Sequence, residues 1–233
     1  MSPLSQLSPL SLPRYRCYPR REQPYAYFPF QGRQYFGVTT ILRATRSAQA
    51  IERLAQWQEQ VGATEAEAIR RAGSQRGKCL HRQIQAYWSQ GRKPTMTQPQ
   101  PFGDYWTSIE PVLAEMQGAP LLEGFVWHPS GFGGVADALV VYKGELCLCD
   151  WKTSAKRKRW DWMEESCLQV AAYTAAVNRV YLRLGLQVRR GLVVVALPDD
   201  GAQVFELEPP ELLEFWHQFQ DRYALFQGVG RSG

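Results

Sequence analysis

The stretch ALVVYKGELCLCDWK, residues 138–152, constrains the fold of this chain more than any other segment. Two apolar runs flank Lys143-Gly144, and glycine supplies the positive φ that a tight hairpin turn requires. A turn of two residues, or of four in the same register, places Asp137 directly opposite Asp150, with Cβ atoms roughly 4.5 to 5.5 Å apart. Two like charges so placed destabilise a sheet, so the hairpin predicts a compensating group beside them.

Alternation along the second strand adds a base to this pair of acids. Lys152 lies on the same face as Asp150, so three charged groups gather at the open end of an apolar surface. In one interpretation Lys152 partly neutralises the carboxylates and the cluster is structural. In the other, a divalent metal with oxygen ligands neutralises them more fully.

The second interpretation predicts phosphodiester hydrolysis. A metal held between two carboxylates can polarise a phosphoryl oxygen and lower the pKa of a bound water, while a nearby lysine stabilises the developing charge. Because the charges of Asp137 and Asp150 favour the ammonium form of Lys152, we expect it to act electrostatically and to orient water rather than to serve as a general base.

Three segments then resemble a known nuclease group: LEGFVWHP, the hairpin ending in Asp150-Trp151-Lys152, and the helix QVAAY of residues 169–173. They resemble RecB-like members of the PD-(D/E)xK superfamily, in particular the mitochondrial genome maintenance exonucleases and their bacterial relatives. The likeness runs from about residue 37 to 216, with Ala136 where the motif's name has proline. It implies a restriction-endonuclease-like α/β core, a mixed sheet flanked by helices, with an N-terminal helical portion.

The resemblance also implies roles for particular residues. Catalytic roles fall to Asp137, Asp150, Lys152, Gln169 and Tyr173, and Mg²⁺ or Mn²⁺ would be bound by His81, Glu123, Asp137 and Asp150. Gln169 and Tyr173 stand four apart on a helix, so both can face Lys152 and the phosphate. From the pattern alone, a lone helical histidine such as His81 is usually structural or solvated, so its role depends on the resemblance, and Glu123 could equally be an exposed strand carboxylate.

A basic run follows Lys152 and predicts contact with nucleic acid. Phosphates would be bound by Ser154, Lys156, Arg157, Lys158 and Arg159, with Trp160 or Trp162 stacking on a base. Arg43 and Arg76 would face the same channel. The alternative is a solvated loop or a localisation signal.

The predicted function is a metal-dependent exonuclease for linear single-stranded DNA in DNA repair or maintenance. The alternatives are a structure-selective or duplex endonuclease of the same fold, and a binding module with a degenerate site. The charge distribution favours an anionic partner, because residues 1–197 carry 25 bases against 15 acids. GSQRGKC lacks the spacing of a phosphate loop, so no nucleotide cofactor is expected, and no cysteine follows Cys167 to hold an iron–sulfur cluster.

Residues 1–24 are predicted to form a flexible Ser/Pro/Arg-rich arm, with a transit peptide as the alternative, and 25–233 a single monomeric nuclease domain. Within it, 25–118 are predicted to be a helical front and 119–233 the α/β catalytic core. Five cysteines without zinc spacing and no long apolar run predict a reducing, cytoplasmic location in a bacterium, with the organelle matrix as the alternative, and no membrane partner.

Overall fold

The computed structural model describes residues 12–22, 25–91 and 105–229, and within them the chain forms eight strands and six α-helices. The strands are β1 Arg20–Glu22, β2 Tyr25–Phe30, β3 Arg33–Gly37, β4 Met116–His128, β5 Phe132–Tyr142, β6 Glu145–Thr153, β7 Arg190–Ala196 and β8 Gln203–Leu207. The helices are α1 Val38–Ala44, α2 Ala48–Val61, α3 Ala63–Gln90, α4 Tyr105–Glu115, α5 Glu164–Val180 and α6 Pro209–Val229.

All eight strands belong to one mixed sheet, in the order β1-β2-β3-β5-β6-β7-β8, with β4 paired to β5. β5 is the central strand. β4 runs antiparallel along one edge of it, while β3 near its start and β6 near its end share the other edge. The predicted α/β fold with a mixed sheet flanked by helices is confirmed, and it is compatible with a restriction-endonuclease-like core.

Helices cover both faces of the sheet. On one face, Val170 of α5 and Phe219 of α6 pack with Leu148 of β6. On the opposite face, Ile84 of α3 and Ile109 of α4 pack with the other side of the same strands. Each of these side chains contributes about 1.5–3 kcal/mol when buried, and α3 and α5 are thereby held against the end of β6 that carries Lys152.

The N-terminal segment is not a flexible arm over residues 12–22, where that prediction was wrong. The buried Leu12 donates its main-chain N–H to Pro120, and Tyr15 accepts from the N–H of Phe125. Three residues of the segment form β1 at the edge of the sheet. Residues 1–11 and 23–24 of the predicted arm lie outside the described residues.

The prediction of a helical front was wrong for residues 25–37, which form the β2–β3 hairpin. Its two-residue turn has positive φ at Gln31 and Gly32, the backbone that a tight hairpin requires. The signal was present as Gln-Gly between the aromatic-rich runs YAYFPF and RQYF.

The other helices follow the sequence signals unevenly. Ser47 caps α2 by accepting from the N–H of Ala50. Thr64 and Glu67 have the spacing of a capping box, but α3 begins at Ala63 with Gly62 as its N-cap. Pro111 lies inside α4, which continues to Glu115 because buried neighbours hold that segment on the sheet.

Among the described residues, no helix has both the length and the apolar character needed to cross a membrane. The five cysteines all carry free thiols.

Candidate metal and nucleic-acid site

The β5–β6 hairpin has the predicted register, with Ala138 paired to Cys149 and a two-residue turn at Lys143 and Gly144. The next pair would be Asp137 and Asp150, but the ladder stops before it. β6 continues beside β7, while β5 begins beside β3, so the two strands diverge at the acids. We call this point the fork.

A side chain replaces the missing ladder bond at the fork. The main-chain N–H of Trp151 donates to Oδ2 of Asp137 across 2.9 Å. Asp137 therefore links the two strands where they separate. Its Oδ2 accepts this hydrogen bond, and the bond fixes the orientation of the carboxylate.

A third carboxylate lies beside Asp137 on the neighbouring strand. Leu122 pairs with Ala138 and Gly124 with Ala136, so Glu123 is opposite Asp137 in the register of β4 and β5. Glu123 has φ +47°, a backbone conformation that costs of order 1–3 kcal/mol in a non-glycine residue and that clusters at functional sites. Glu123, Asp137 and Asp150 thus follow one another across three adjacent strands, and we call them the carboxylate row.

His81 reaches one end of the row from α3. Its Nδ1 lies 2.9 Å from Oε1 of Glu123, and its Nε2 lies 3.1 Å from the carbonyl oxygen of Trp151 and 3.7 Å from Oδ2 of Asp137. The buried neighbours Leu80 and Ile84 anchor this turn of the helix. One ligand atom each from His81, Glu123 and Asp137 lies within 4.8 Å of the others, close enough to share a metal ion.

Lys152 occupies the other end of the row. Its Nζ lies 2.5 Å from Oδ2 of Asp150, whose side chain is 3% exposed. Neither oxygen of Asp150 accepts a well-directed hydrogen bond within the described part of the chain, so the ion pair is its compensation. Asp150 lies outside the group formed by His81, Glu123 and Asp137. Carboxylate oxygens with one imidazole nitrogen suit Mg²⁺ or Mn²⁺, and the under-satisfied Asp150 fits such a cation.

The carboxylates of the row lie close together, Asp150 is buried and Asp137 is largely shielded from solvent, so they raise the pKa values of neighbouring groups. Burial and the charge of Asp150 raise the pKa of Asp137 well above its usual range. Burial lowers the pKa of His81, but the hydrogen bond that His81 donates to Glu123 and the charges of Asp137 and Glu123 outweigh burial and raise the pKa to about 9. Burial opposes the charge of Lys152, yet Asp150 and Asp137 raise its pKa as well. In the absence of a metal, bound protons on His81 and Asp137 and the ammonium group of Lys152 thus offset the negative charge of the carboxylate row.

Gln169 and Tyr173 face the row from α5. Nζ of Lys152 donates to Oε1 of Gln169 across 3.5 Å, a long hydrogen bond that limits where the ammonium can point. Tyr173 is buried, and its ring lies so close to Gly134 of β5 that a Cβ there would come within 2.5 Å of the hydroxyl. Burial raises the pKa of Tyr173, so the phenol stays neutral.

The chain is similar in sequence to known exonucleases. Three curated relatives share the name mitochondrial genome maintenance exonuclease 1. The chain is 36% identical to the Mus musculus protein over 129 residues, 53% of this chain and 37% of that protein. It is 29% identical to the Xenopus tropicalis protein over 190 residues, 78% of this chain and 54% of that protein. The identity to the Homo sapiens protein is 37% over 97 residues, 41% of this chain and 28% of that protein.

The chain spans about half the length, or less, of these relatives. No protein-family model matches it. One solved structure, the crystal structure of SSO0001, aligns with 82% of this chain and 76% of that one, at a TM-score of 0.40 and 14% identity. All three relatives therefore carry one exonuclease name, at moderate identity to this chain.

The basic loop after β6 is partly neutralised by acids that sequence reasoning did not connect with it. Arg157 pairs with Asp200 across 2.5 Å, and Arg159 pairs with Asp161 across 3.0 Å. The main chain of Lys158 exchanges two hydrogen bonds with the side chain of Gln203 on β8. These contacts pin the loop against the β7–β8 turn.

The remaining groups near this loop are placed differently. Ser154 is buried, and its hydroxyl donates to the carbonyl of Lys156, so it closes the turn and does not face solvent. Trp160 and Trp162 are 43% and 59% exposed, and Nζ of Lys158 lies 5.8 Å from the ring centre of Trp162. The tryptophans are therefore available for stacking.

Two clefts reach the carboxylate row. The Lys152 cleft, of about 730 Å³, lies between α1, α5 and the N-terminal strands and includes Arg21, Arg43, Arg46, Lys152, Glu165 and Gln169. The His81 cleft, of about 620 Å³, includes Arg14, Lys78, His81, Arg82, Gln85 and Glu123. Arg43 lies in the same cleft as Lys152, whereas Arg76 reaches Thr153 of β6 and the ring of Tyr105.

Sequence reasoning missed the cations of the His81 cleft. Lys78 and Arg82 lie four residues apart on α3 and flank His81, so the helical spacing contained the signal. Arg14 comes from the segment predicted as flexible, and no local pattern points to it. Its Nε donates to the carbonyl oxygen of Glu123 across 3.0 Å.

Proposed function

We propose that this chain is a divalent-metal-dependent exonuclease that hydrolyses linear single-stranded DNA, using the carboxylate row at the fork. The observation that carries the proposal is the placement of three carboxylates on adjacent strands, with His81 at one end and Lys152 at the other. Like charges on neighbouring strands destabilise a sheet, so this arrangement favours a functional site over a structural one. The shared name of the three relatives supports the choice of an exonuclease over other phosphodiesterases.

The residues that would hold the cation are His81, Glu123 and Asp137, together with Asp150, whose two carboxylate oxygens are buried without a hydrogen-bond partner among the described residues. A divalent cation there would polarise a phosphoryl oxygen and lower the pKa of a bound water. To serve as a ligand, His81 must lose a proton, because both of its ring nitrogens face acceptors in this arrangement.

Lys152 supplies positive charge to the phosphate that is attacked. Its pKa is raised by Asp150 and Asp137, so the ammonium stays protonated at neutral pH and cannot accept a proton from water. Held by Asp150 on one side and Gln169 on the other, it is oriented before substrate arrives. Such preorganised charge is where much of the rate enhancement of hydrolases originates.

Gln169 and Tyr173 support the lysine. The amide of Gln169 accepts from Nζ, which leaves its NH₂ group to donate to a phosphate oxygen or a water. Tyr173, neutral and packed on Gly134, holds the adjoining turn of α5 against β5. We therefore assign Tyr173 a positioning role.

The decisive experiment compares linear and covalently closed circular single-stranded DNA, labelled at either end of the linear form, with Mg²⁺, Mn²⁺ or chelator. We expect the linear strand to be degraded only with metal and the circle to survive. Cleavage of the circle would instead favour the structure-selective or duplex endonuclease, and binding without any turnover would favour a degenerate module. Robust cleavage in excess chelator would refute the metal-dependent mechanism.

A further inference from the structure

We propose that the His81 cleft binds the phosphate backbone of the DNA strand on one side of the scissile phosphate, and that the strand crosses the carboxylate row into the Lys152 cleft. This inference rests on the proposed function and adds the path of the substrate. It assigns phosphate-binding roles to Arg14, Lys78 and Arg82, none of which belongs to the basic loop.

The three cations of the His81 cleft converge from two separate elements. Lys78 and Arg82 stand one turn apart on α3, and Arg14 approaches from the N-terminal segment. Two main-chain carbonyls orient the arginines through Nε: Glu123 accepts from Arg14 at 3.0 Å and Lys78 accepts from Arg82 at 3.3 Å. The terminal guanidinium nitrogens therefore remain to bind an anion in the bidentate manner that arginine favours.

The charges of these cations have no acidic partner in the part of the chain that the structure describes. Among the residues that the structure describes, no carboxylate forms an ion pair with Arg14, Lys78 or Arg82. In the basic loop, by contrast, Arg157 and Arg159 are both paired with aspartates. Unpaired cations gathered in one concave surface favour an anionic ligand there, and a polyanion suits a cleft with three of them.

The position of the two clefts gives the strand its path. They share no lining residue among those described, and each ends on a different end of the row. One ends at His81 and Glu123, and the other at Lys152. A phosphate placed over the row would therefore have one cleft on each side of it. Volumes of about 620 and 730 Å³ lie within the usual range for ligand sites and suit an extended single strand.

The first test measures binding of a fluorescent single-stranded oligonucleotide in Mg²⁺, in an Asp150→Asn background that prevents turnover. We expect Lys78→Gln with Arg82→Gln to weaken binding by about tenfold or more, and each lost contact to reduce the slope of log K against log salt by about 0.7. Arg82→Lys should restore part of the affinity. Arg183→Gln, an exposed arginine in the short 3-10 helix after α5 that lines neither cleft, should change nothing.

The second test locates the strand with uncharged methylphosphonate linkages in either the 5′ half or the 3′ half of the oligonucleotide. If the strand crosses the row, neutral linkages in one half of the oligonucleotide should no longer reduce the binding affinity of the Lys78 and Arg82 variants. Neutral linkages in the other half should no longer reduce the affinity of Arg43→Gln. Sensitivity to the same half for both variants would overturn the crossing.

The failures are distinguishable. Native affinity and salt slope in the Lys78 and Arg82 variants, alongside metal-dependent cleavage by the native chain, would overturn the inference and leave the proposed function standing. Absence of any binding or metal-dependent cleavage by the native chain would overturn both.

Discussion

The main-chain N–H of Trp151 donates a hydrogen bond to the carboxylate of Asp137, 2.9 Å away, at the point where β5 and β6 separate. One side chain thus has two tasks. It closes the end of the strand ladder, and it presents its remaining lone pairs to the centre of the carboxylate row. The two tasks have different chemical requirements, because an amide can brace the strands but cannot supply the negative charge.

The first prediction separates these tasks. Asp137→Asn should retain the bond from Trp151 and remove one of two buried like charges, so the chain should unfold at a temperature equal to or above that of the native protein in chelator. The same variant should lose nuclease activity. Asp137→Ala also loses the brace and leaves a buried N–H unpaired, which costs about 1–3 kcal/mol. Thermal unfolding in chelator and a nuclease assay measure both, and equal stability of the two variants would contradict the brace.

The second prediction concerns pH. The folded pKa of His81, about 9, lies above its ordinary value of 6.5, so its contribution to stability is fully present below 6.5 and is lost as pH rises through about 9. The pKa of Asp137, raised from 3.8 to about 7, acts in the same direction at lower pH, since its contribution is lost as pH rises through about 7. In chelator, unfolding temperature should therefore fall between pH 6.5 and 9. Stabilisation by Mn²⁺ should grow over the same interval, because the metal competes with a proton for His81.

A matched control for this titration is His81→Asn, which keeps a polar group on α3 without a titratable one. Its unfolding temperature should depend much less on pH in chelator, and the increment due to Mn²⁺ should be small and nearly constant. A native-like pH dependence in this variant would assign the titration to other groups.

The parts of the site that could be predicted from the sequence are those whose interactions join residues close together along the chain. The hairpin register depends on two adjacent turn residues, so Asp137 and Asp150 could be brought together from the sequence. The strained φ of Glu123 cannot be predicted in this way, since it depends on how β4 meets β5. The pairing of Arg157 with Asp200 joins residues 43 positions apart, which no local pattern encodes.

In the N-terminal strands, by contrast, a local signal for a hairpin was present in the sequence, but the composition of the first residues favoured a different prediction. Arginine, serine and proline dominate the composition of the first residues and favour an arm, yet Leu12 and Tyr15 bond to β4. The Gln31-Gly32 turn carried enough information for a hairpin. The β2 strand before this turn is mostly half-buried and aromatic, and such a run shows weak polar–apolar alternation.

The third prediction tests how Tyr173 is positioned. A methyl group in Gly134→Ala would meet the Tyr173 hydroxyl at 2.5 Å and its ring carbons at 3.0 and 3.1 Å, so the ring and the adjoining turn of α5 must shift. We expect kcat to fall about tenfold or more, because small displacements near a reacting centre are costly, while affinity for Mn²⁺ changes little. Steady-state kinetics and metal titration by calorimetry separate the two effects.

The control for this substitution is Gly201→Ala, whose Cβ would meet no atom within 4 Å. It should leave kcat unchanged. In the double variant Gly134→Ala with Tyr173→Phe, loss of the hydroxyl removes the closest contact, so partial recovery is expected. If Gly134→Ala alone retains native kcat, the Tyr173 ring does not position the site.

The fourth prediction concerns the basic loop. Because Asp200 neutralises Arg157 at an exposed pair, Asp200→Asn should free this cation and tighten binding of single-stranded DNA by roughly two- to fivefold, within the range expected for a surface ion pair. The gain should shrink as salt rises, since exposed charges are screened. Fluorescence anisotropy at two salt concentrations measures this change in affinity.

Glu214→Gln, which removes an acid from the exposed face of α6, is the matched control and should have no effect on DNA binding. Unchanged affinity in Asp200→Asn would mean that the strand does not contact Arg157, and the two clefts would then account for the cations that hold it.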